Sequence, residues 1–238
     1  MVSSAQNGSC SATEMTIRNN FRSIVILCLV QIISTVAYNS GESQLTANEV
    51  CTKCHCMEGV GGYFGNQLEV SIDCSQRQLN DLPVDWPSNI TKSEDLKDAA
   101  LVVSFSGNPL ITLRKLPPTL AKNVSFSFRY CGLTELVSGA FMDVPFLEKL
   151  DLSCNSLTTE SLHGDVFRGR YNVRNYEPLP VRILLLAQNR LTNGLSALSL
   201  EHMPDLRKLD LSYNYINELH EGTLRAITGI RKLEVNKP

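Results

Sequence analysis

The stretch CTKCHC, residues 51–56, places three cysteines and a histidine in six positions, and Cys74 follows downstream. Those residue types support two chemistries. Thiolates with an imidazole can close a tetrahedral zinc site, while thiols in an oxidising compartment pair into disulfides. A zinc ribbon needs two C-x-x-C knuckles, and only Cys51–Cys54 provides one, so the spacing favours disulfides and leaves His55 as an exposed residue. Four cysteines allow three connectivities, and spacing alone selects none. Elsewhere the chemistry thins out. His55, His163, His202 and His220 are scattered, and no HExxH, GxSxG or phosphate-binding glycine loop occurs. GVGGYFG (59–65) is glycine-rich but falls between Cys56 and Cys74. The expectation is a chain with no catalytic, cofactor-binding or metal-ligating residues: not an enzyme, and without cofactors.

Whether the cysteines pair depends on where the chain folds. Residues 24–37, IVILCLVQIISTVA, are apolar, follow Arg18 and Arg22, and precede the polar run YNSGESQ. The segment is shorter than the roughly 20 apolar residues of a spanning helix, and Thr35 and Ala37 have the small-residue spacing of a signal-peptidase site. Residues 1–37 are therefore expected to be a signal peptide, with Met15 as an alternative start; an uncleaved anchor is the competing reading. A formal net charge of -2 argues against an electrostatic grip on nucleic acid. An apolar fraction of 43% suffices for a core.

A repeat supplies that core. LEKLDLSCNSL (147–157), VRILLLAQNRL (181–191) and LRKLDLSYNYI (206–216) share the pattern LxxLxLxxNxL. ALVVSFSGNPL (100–110) and NVSFSFRYCGL (123–133) are weaker copies, the second with Asn123 at the first position and Cys131 in the asparagine seat, and IRKLEV begins another at Ile230. In LxL the two leucines point one way and the residue between them the other. One turn cannot bury its leucines alone, so turns must stack. The asparagine leaves the strand with a donor and an acceptor for buried backbone groups of adjacent turns. Cys131 offers only a weak donor.

On these motifs, with GAF (139–141) and DVF (165–167) on the return limbs, residues 48 to 238 resemble the extracellular leucine-rich-repeat proteins of the 24-residue class. The resemblance implies an α/β solenoid, curved, with short parallel strands on its concave face. It also implies that C-x2-C-x-C-x17-C, with EVSIDCSQRQLNDLP (69–83), is an N-terminal cysteine cap pairing Cys51 with Cys56 and Cys54 with Cys74. The expected organisation is a linker at 38–47, the cap at 48–85, and repeats over 86–238, about five plus a truncated last one. Cys131 and Cys154 are expected to be unpaired thiols. The interval from Asn155 to Asn189 exceeds the others by about ten residues. The excess, RGRYNVRNYEPLP (168–180), is expected to be a loop extruded from the convex or edge side.

Function then falls to the strand positions that face out. These are Ser104 and Ser106, then Ser127 with Arg129 and Tyr130, Lys149 with Asp151, Ile183 with Leu185, Lys208 with Asp210 and Tyr213, and last Lys232 with Glu234. Ile183 and Leu185 form an apolar centre with lysine–aspartate pairs on either side, the layout of a protein interface. The expected site is Arg129, Tyr130, Lys149, Asp151, Ile183, Leu185, Lys208, Asp210 and Tyr213. The expected function is a secreted or cell-surface module that binds a protein ligand or co-receptor through its concave face. An extracellular-matrix component binding fibrils or glycans is the alternative. No nucleic acid and no small-molecule substrate are expected, and membrane association only if a further C-terminal segment supplies it. Asn89 and Asn123 head glycosylation sequons, consistent with secretion or with the extracellular side of the plasma membrane. The chain stops inside a repeat, so the expected context is a fragment of a longer receptor or matrix protein, with an unusual short product as the alternative.

Overall fold

The computed structural model describes residues 45–60, 68–87, 99–119, 121–193, 200–226 and 229–235. The expected signal, most of the linker and the Asn89 sequon lie outside the described residues. Eight strands form one sheet in the order β1 (His55–Val60), β2 (Leu68–Asp73), β3 (Ala100–Ser104), β5 (Val124–Ser127), β7 (Leu147–Asp151), β8 (Ile183–Leu185), β9 (Lys208–Leu211), β10 (Lys232–Val235). From β2 onward every pairing is parallel. The chain returns between strands through the short parallel pair β4 (Thr112–Leu113) and β6 (Glu135–Leu136) and through two 3-10 turns, Glu160–Leu162 and Gly164–Phe167. This is the leucine-rich-repeat solenoid that the repeat requires.

The cap solves the problem of the solenoid's first edge. Strand β1 pairs antiparallel with β2 and so covers an edge that would otherwise leave backbone groups open. Helix α1 (Ala47–Lys53) precedes it; the Glu49 carboxylate accepts the Thr46 N–H and hydroxyl, which holds its pKa below the usual carboxylate range. Disulfides Cys51–Cys56 and Cys54–Cys74 tie helix, β1 and β2 together. Leu45, placed by sequence in the linker, is buried, and its carbonyl accepts the Val84 N–H at 3.0 Å.

Inside the solenoid each asparagine answers a fixed set of backbone groups. Asn155 donates to Phe128 O and Leu152 O, at 2.8 and 2.9 Å, and accepts from Cys131 N and Leu133 N, at 2.9 and 3.1 Å. Asn108, Asn189 and Asn214 repeat the arrangement. The thiol of Cys131 reaches Phe105 O at 3.2 Å, but the seat has no amide oxygen, and Leu110 N bonds Asn108 O instead. The residue before each seat takes positive φ: Gly107, Tyr130, Cys154, Gln188 and Tyr213 lie between 55° and 74°. That turn swings the following side chain into the core, at a conformational cost for the non-glycine residues.

Two expectations are corrected. Cys154 is disulfide-bonded, so of the two expected unpaired thiols only Cys131 is free. The reason is position: Cys154 is half-exposed on the left-handed turn, where a partner sulfur can reach it, while Cys131 is fully buried. The first core position of the β5 repeat is filled by Val124, not Asn123. The register shifts there, Val124 pairing with Leu147 and Ser125 with Lys149, and Asn123 is left half-buried ahead of the strand.

Candidate functional site

Register on the concave face sorts the expected site into rows. Lys149, Ile183, Lys208 and Lys232 are paired neighbours on β7 to β10, and two residues on so are Asp151, Leu185, Asp210 and Glu234. The alternation of the strands turns both rows to the same side. Ile183 and Leu185 on β8 are half-buried, with Lys149 and Asp151 on one flank and Lys208 and Asp210 on the other. The left-handed turns then carry Tyr130, Cys154, Gln188 and Tyr213 at the C-terminal ends of successive strands. Tyr130 and Tyr213 are thereby lifted into solvent, 49% and 48% exposed. They stand three strands apart, about 15 Å at the usual strand spacing, and frame the aliphatic pair from opposite sides.

Electrostatics within the site differ from the simple pairs expected. Asp151 faces outward yet is buried, because Arg129 on the neighbouring turn covers it at 3.6 Å, and it also accepts the Ser153 N–H. Arg129 lies over the Tyr130 ring as well, 5.6 Å from its centroid. Arg129, Tyr130 and Asp151 thus form one braced corner. Burial lowers the pKa of Lys149, a shift that Asp151 opposes and that Lys208 and Arg129 deepen.

The inserted segment is more ordered than a loop. Residues 169–177 form a hairpin in which Gly169 N donates to Glu177 O, Glu177 N to Arg170 O and Asn172 N to Asn175 O. Asn172 Oδ1 caps the tip by accepting from Arg174 N and Asn175 N. Two clamps fix its base: Arg170 pairs with Asp143 at 3.1 Å, and Arg168 stacks over Tyr176, 4.7 Å from the ring centroid, which itself meets His202 edge-on.

Two sets of residues escaped the sequence reading. Trp86 is fully buried, packs on Phe105 and Phe126, and donates its indole N–H to Pro117 O at 3.0 Å. A lone tryptophan just past the cap carries no pattern that reveals this. Arg182, Arg207 and Arg231 form a column beside the lysine row, Arg207 N bonding Arg182 O and Arg231 N bonding Arg207 O. Here a pattern existed: the dipeptides VR, LR and IR open three successive repeats. In the cap, the four sulfurs bonded to one another are unavailable as thiolates, and His55 is exposed on β1.

Family models agree with the repeat architecture. Leucine rich repeat family models match residues 146–165 and 180–237. The chain is 28% identical to Tsukushi of Mus musculus over 177 residues, covering 73% of this chain, and 33% identical to Chaoptin of Drosophila melanogaster over 132 residues, covering 54%. It spans 44% of the length of the first and 9% of the second. The crystal structure of human 5T4 (Wnt-activated inhibitory factor 1, trophoblast glycoprotein) is similar with a TM-score of 0.41 and 22% identity, over 70% of this chain and 77% of that one. From its repeats, the family models that match them and its disulfide-closed entrance, the chain is an extracellular-type leucine-rich-repeat protein with an N-terminal cysteine cap.

Proposed function

We propose that the chain is a secreted or cell-surface binding module that recognises a protein ligand or co-receptor through the concave face of strands β7 to β9. The observation that carries this reading is the aliphatic pair Ile183 and Leu185 on β8, flanked by Lys149 and Asp151 on β7 and by Lys208 and Asp210 on β9. An apolar centre excludes water and a charged border selects orientation, the division of labour that interfaces use. Tyr130 and Tyr213 supply rigid amphipathic contact area at little entropic cost. The two cap disulfides support an extracellular setting, where such bonds persist. The relatives' partners do not transfer, since the scaffold is shared while outward residues decide the ligand.

The test is affinity. Once a partner has been found by screening extracellular proteins, Leu185→Asp is expected to weaken its binding by about 2 kcal/mol, roughly thirtyfold, with the thermal melt unchanged. Unchanged affinity would remove the concave face from the account.

A further inference from the structure

We propose that the N-terminal edge of strands β8 to β10 binds a linear sulfated glycan, which lies across the strands along the arginine column. The proposal rests on the extracellular reading above, which is where such polyanions occur. Three successive strands are each entered through an arginine, Arg182, Arg207 and Arg231, and backbone hydrogen bonds of 2.9 and 2.8 Å hold the three in register. Beside them lie Lys149, Lys208 and Lys232, with Ile183 completing their row. These two columns line an open cavity of about 400 Å³, to which a single carboxylate, Glu148, contributes.

The cations in it are incompletely neutralised. Arg182 pairs with Glu148, and Lys232 with Glu234 at 2.7 Å. Arg207, Lys208 and Arg231 make no ion pair among the described residues. A chain with a net charge of -2 places six cations along this one strand edge against the single lining carboxylate Glu148, and an anion from outside would relieve their mutual repulsion further.

Geometry narrows what that anion is. Two residues on, about 7 Å along the strands, stands the acidic row of Asp151, Asp210 and Glu234, whose cation partners Arg129 and Lys232 are already engaged, so an anionic chain keeps to a track at the N-terminal edge. The track runs across strands about 4.8 Å apart, whereas an extended acidic peptide repeats its same-side carboxylates at about 6.8 Å and falls out of step. A sulfated glycan carries sulfates and carboxylates at several positions of its repeating unit, so its anions are not held to the single same-side spacing of a strand. Guanidinium forks suit its planar and tetrahedral oxyanions, and the aliphatic stems of the arginines and lysines form walls on which a sugar ring packs its C–H face.

The full chain, expressed through the secretory pathway, is titrated with a heparin oligosaccharide of defined length, the same oligosaccharide desulfated, and a poly-glutamate peptide. Saturable binding of the sulfated probe is expected, weakened about tenfold or more in Arg207→Glu with Arg231→Glu. The salt dependence of that variant should be shallower by about two, one counterion for each lost contact. Arg174→Glu with Arg170→Glu on the hairpin makes the same charge change elsewhere and should stay within about twofold of the unmutated chain. Melts of both variants check folding, and if the strand variant fails to fold, Arg207→Gln with Arg231→Gln replaces it. The proposal is overturned by absent binding at low salt, by equal binding of the desulfated probe or of poly-glutamate, or by an equal loss in the hairpin variant. Oligosaccharide failure alongside intact sensitivity of protein binding to Leu185→Asp sinks this inference alone; the converse sinks only the protein-binding reading.

Discussion

Strands β3 and β5 with the turns they lead into face Ser104, Ser106 and Ser127 outward beside one aliphatic, Val102, and carry Phe105, Phe126 and Phe128 inward, whereas β7, β8 and β9 turn charged and aliphatic residues outward and leucine inward. In the first region the outward hydroxyls satisfy each other: Ser75 with Ser104 at 2.7 Å, Ser104 with Ser106 at 3.1 Å, and Ser106 with Ser127 at 3.0 Å. Behind them Phe105, Phe126 and Phe128 pack with Trp86 into an aromatic spine with centroids 5.7 to 6.3 Å apart. In the second region the core is leucine, as with Leu150, Leu184 and Leu209, and the outer face carries Lys208 with no ion pair among the described residues, beside the aliphatic pair Ile183 and Leu185. Both regions share one repeat, with a single register shift at Val124/Ser125 where β5 meets β7. The scaffold therefore leaves the two faces of each strand to be specified independently: one region spends its outward positions on itself, and the other leaves them for a partner.

The largest effect expected from breaking this contrast is at the spine. Trp86→Ala removes a fully buried ring and its hydrogen bond to Pro117, and is expected to cost about 3–5 kcal/mol in chemical denaturation. A loss below about 1 kcal/mol would mean that the aromatic residues do not hold the first region together. Next come the asparagine seats. Asn155→Ala strands two buried N–H donors and two carbonyls, about 2–3 kcal/mol, while Cys131→Ala removes one weak thiol contact and a small volume, about 1 kcal/mol. Equal losses would show that the seat at Cys131 is as well served as the others.

The smallest effect is a gain. Cys131→Asn restores the missing acceptor and is expected to stabilise by about 1 kcal/mol, a rise of about 2–4 °C in Tm. The same variant carries a pH signature. Burial pushes the Cys131 thiol up to about 11 from its ordinary 9.0. The folded state therefore resists ionisation: its stability is intact below about pH 9 and is lost as the pH rises from there through 11, by at most about 1.4 kcal/mol per unit. Denaturation midpoints of the parent and Cys131→Asn should diverge over that interval, and parallel curves would contradict the burial of a neutral thiol.

The repeat was legible because its physics is periodic: leucines at fixed spacing and an asparagine that must satisfy its neighbours announce themselves in any copy. The rows Lys149–Ile183–Lys208 and Asp151–Leu185–Asp210 followed from simple alternation along a strand. The pairing of Cys51, Cys54, Cys56 and Cys74 came from resemblance, since spacing leaves three connectivities open. What escaped depends on non-local packing. Nothing near Asp151 in the sequence indicates that Arg129 covers it, and nothing near Tyr171 shows that it pairs with Tyr176 across a hairpin. Val124 displaced Asn123 from the first core position because an apolar side chain one residue on filled the seat better, a choice made by the neighbouring turns. The arginine column occupies the second position of its three repeats, one residue before the outward alternation begins at Ile183, Lys208 and Lys232, so alternation along the strand does not reveal it.

The central claim, that recognition belongs to the second region and not the first, is tested by matched substitutions on the two. Leu185→Asp and Ser106→Asp add one negative charge each to the same concave face, and the affinity of an extracellular protein partner is measured for both alongside the parent chain. The account predicts a loss of about thirtyfold for Leu185→Asp and less than about twofold for Ser106→Asp, with both variants folded. Equal losses, or a larger loss at Ser106, would contradict it.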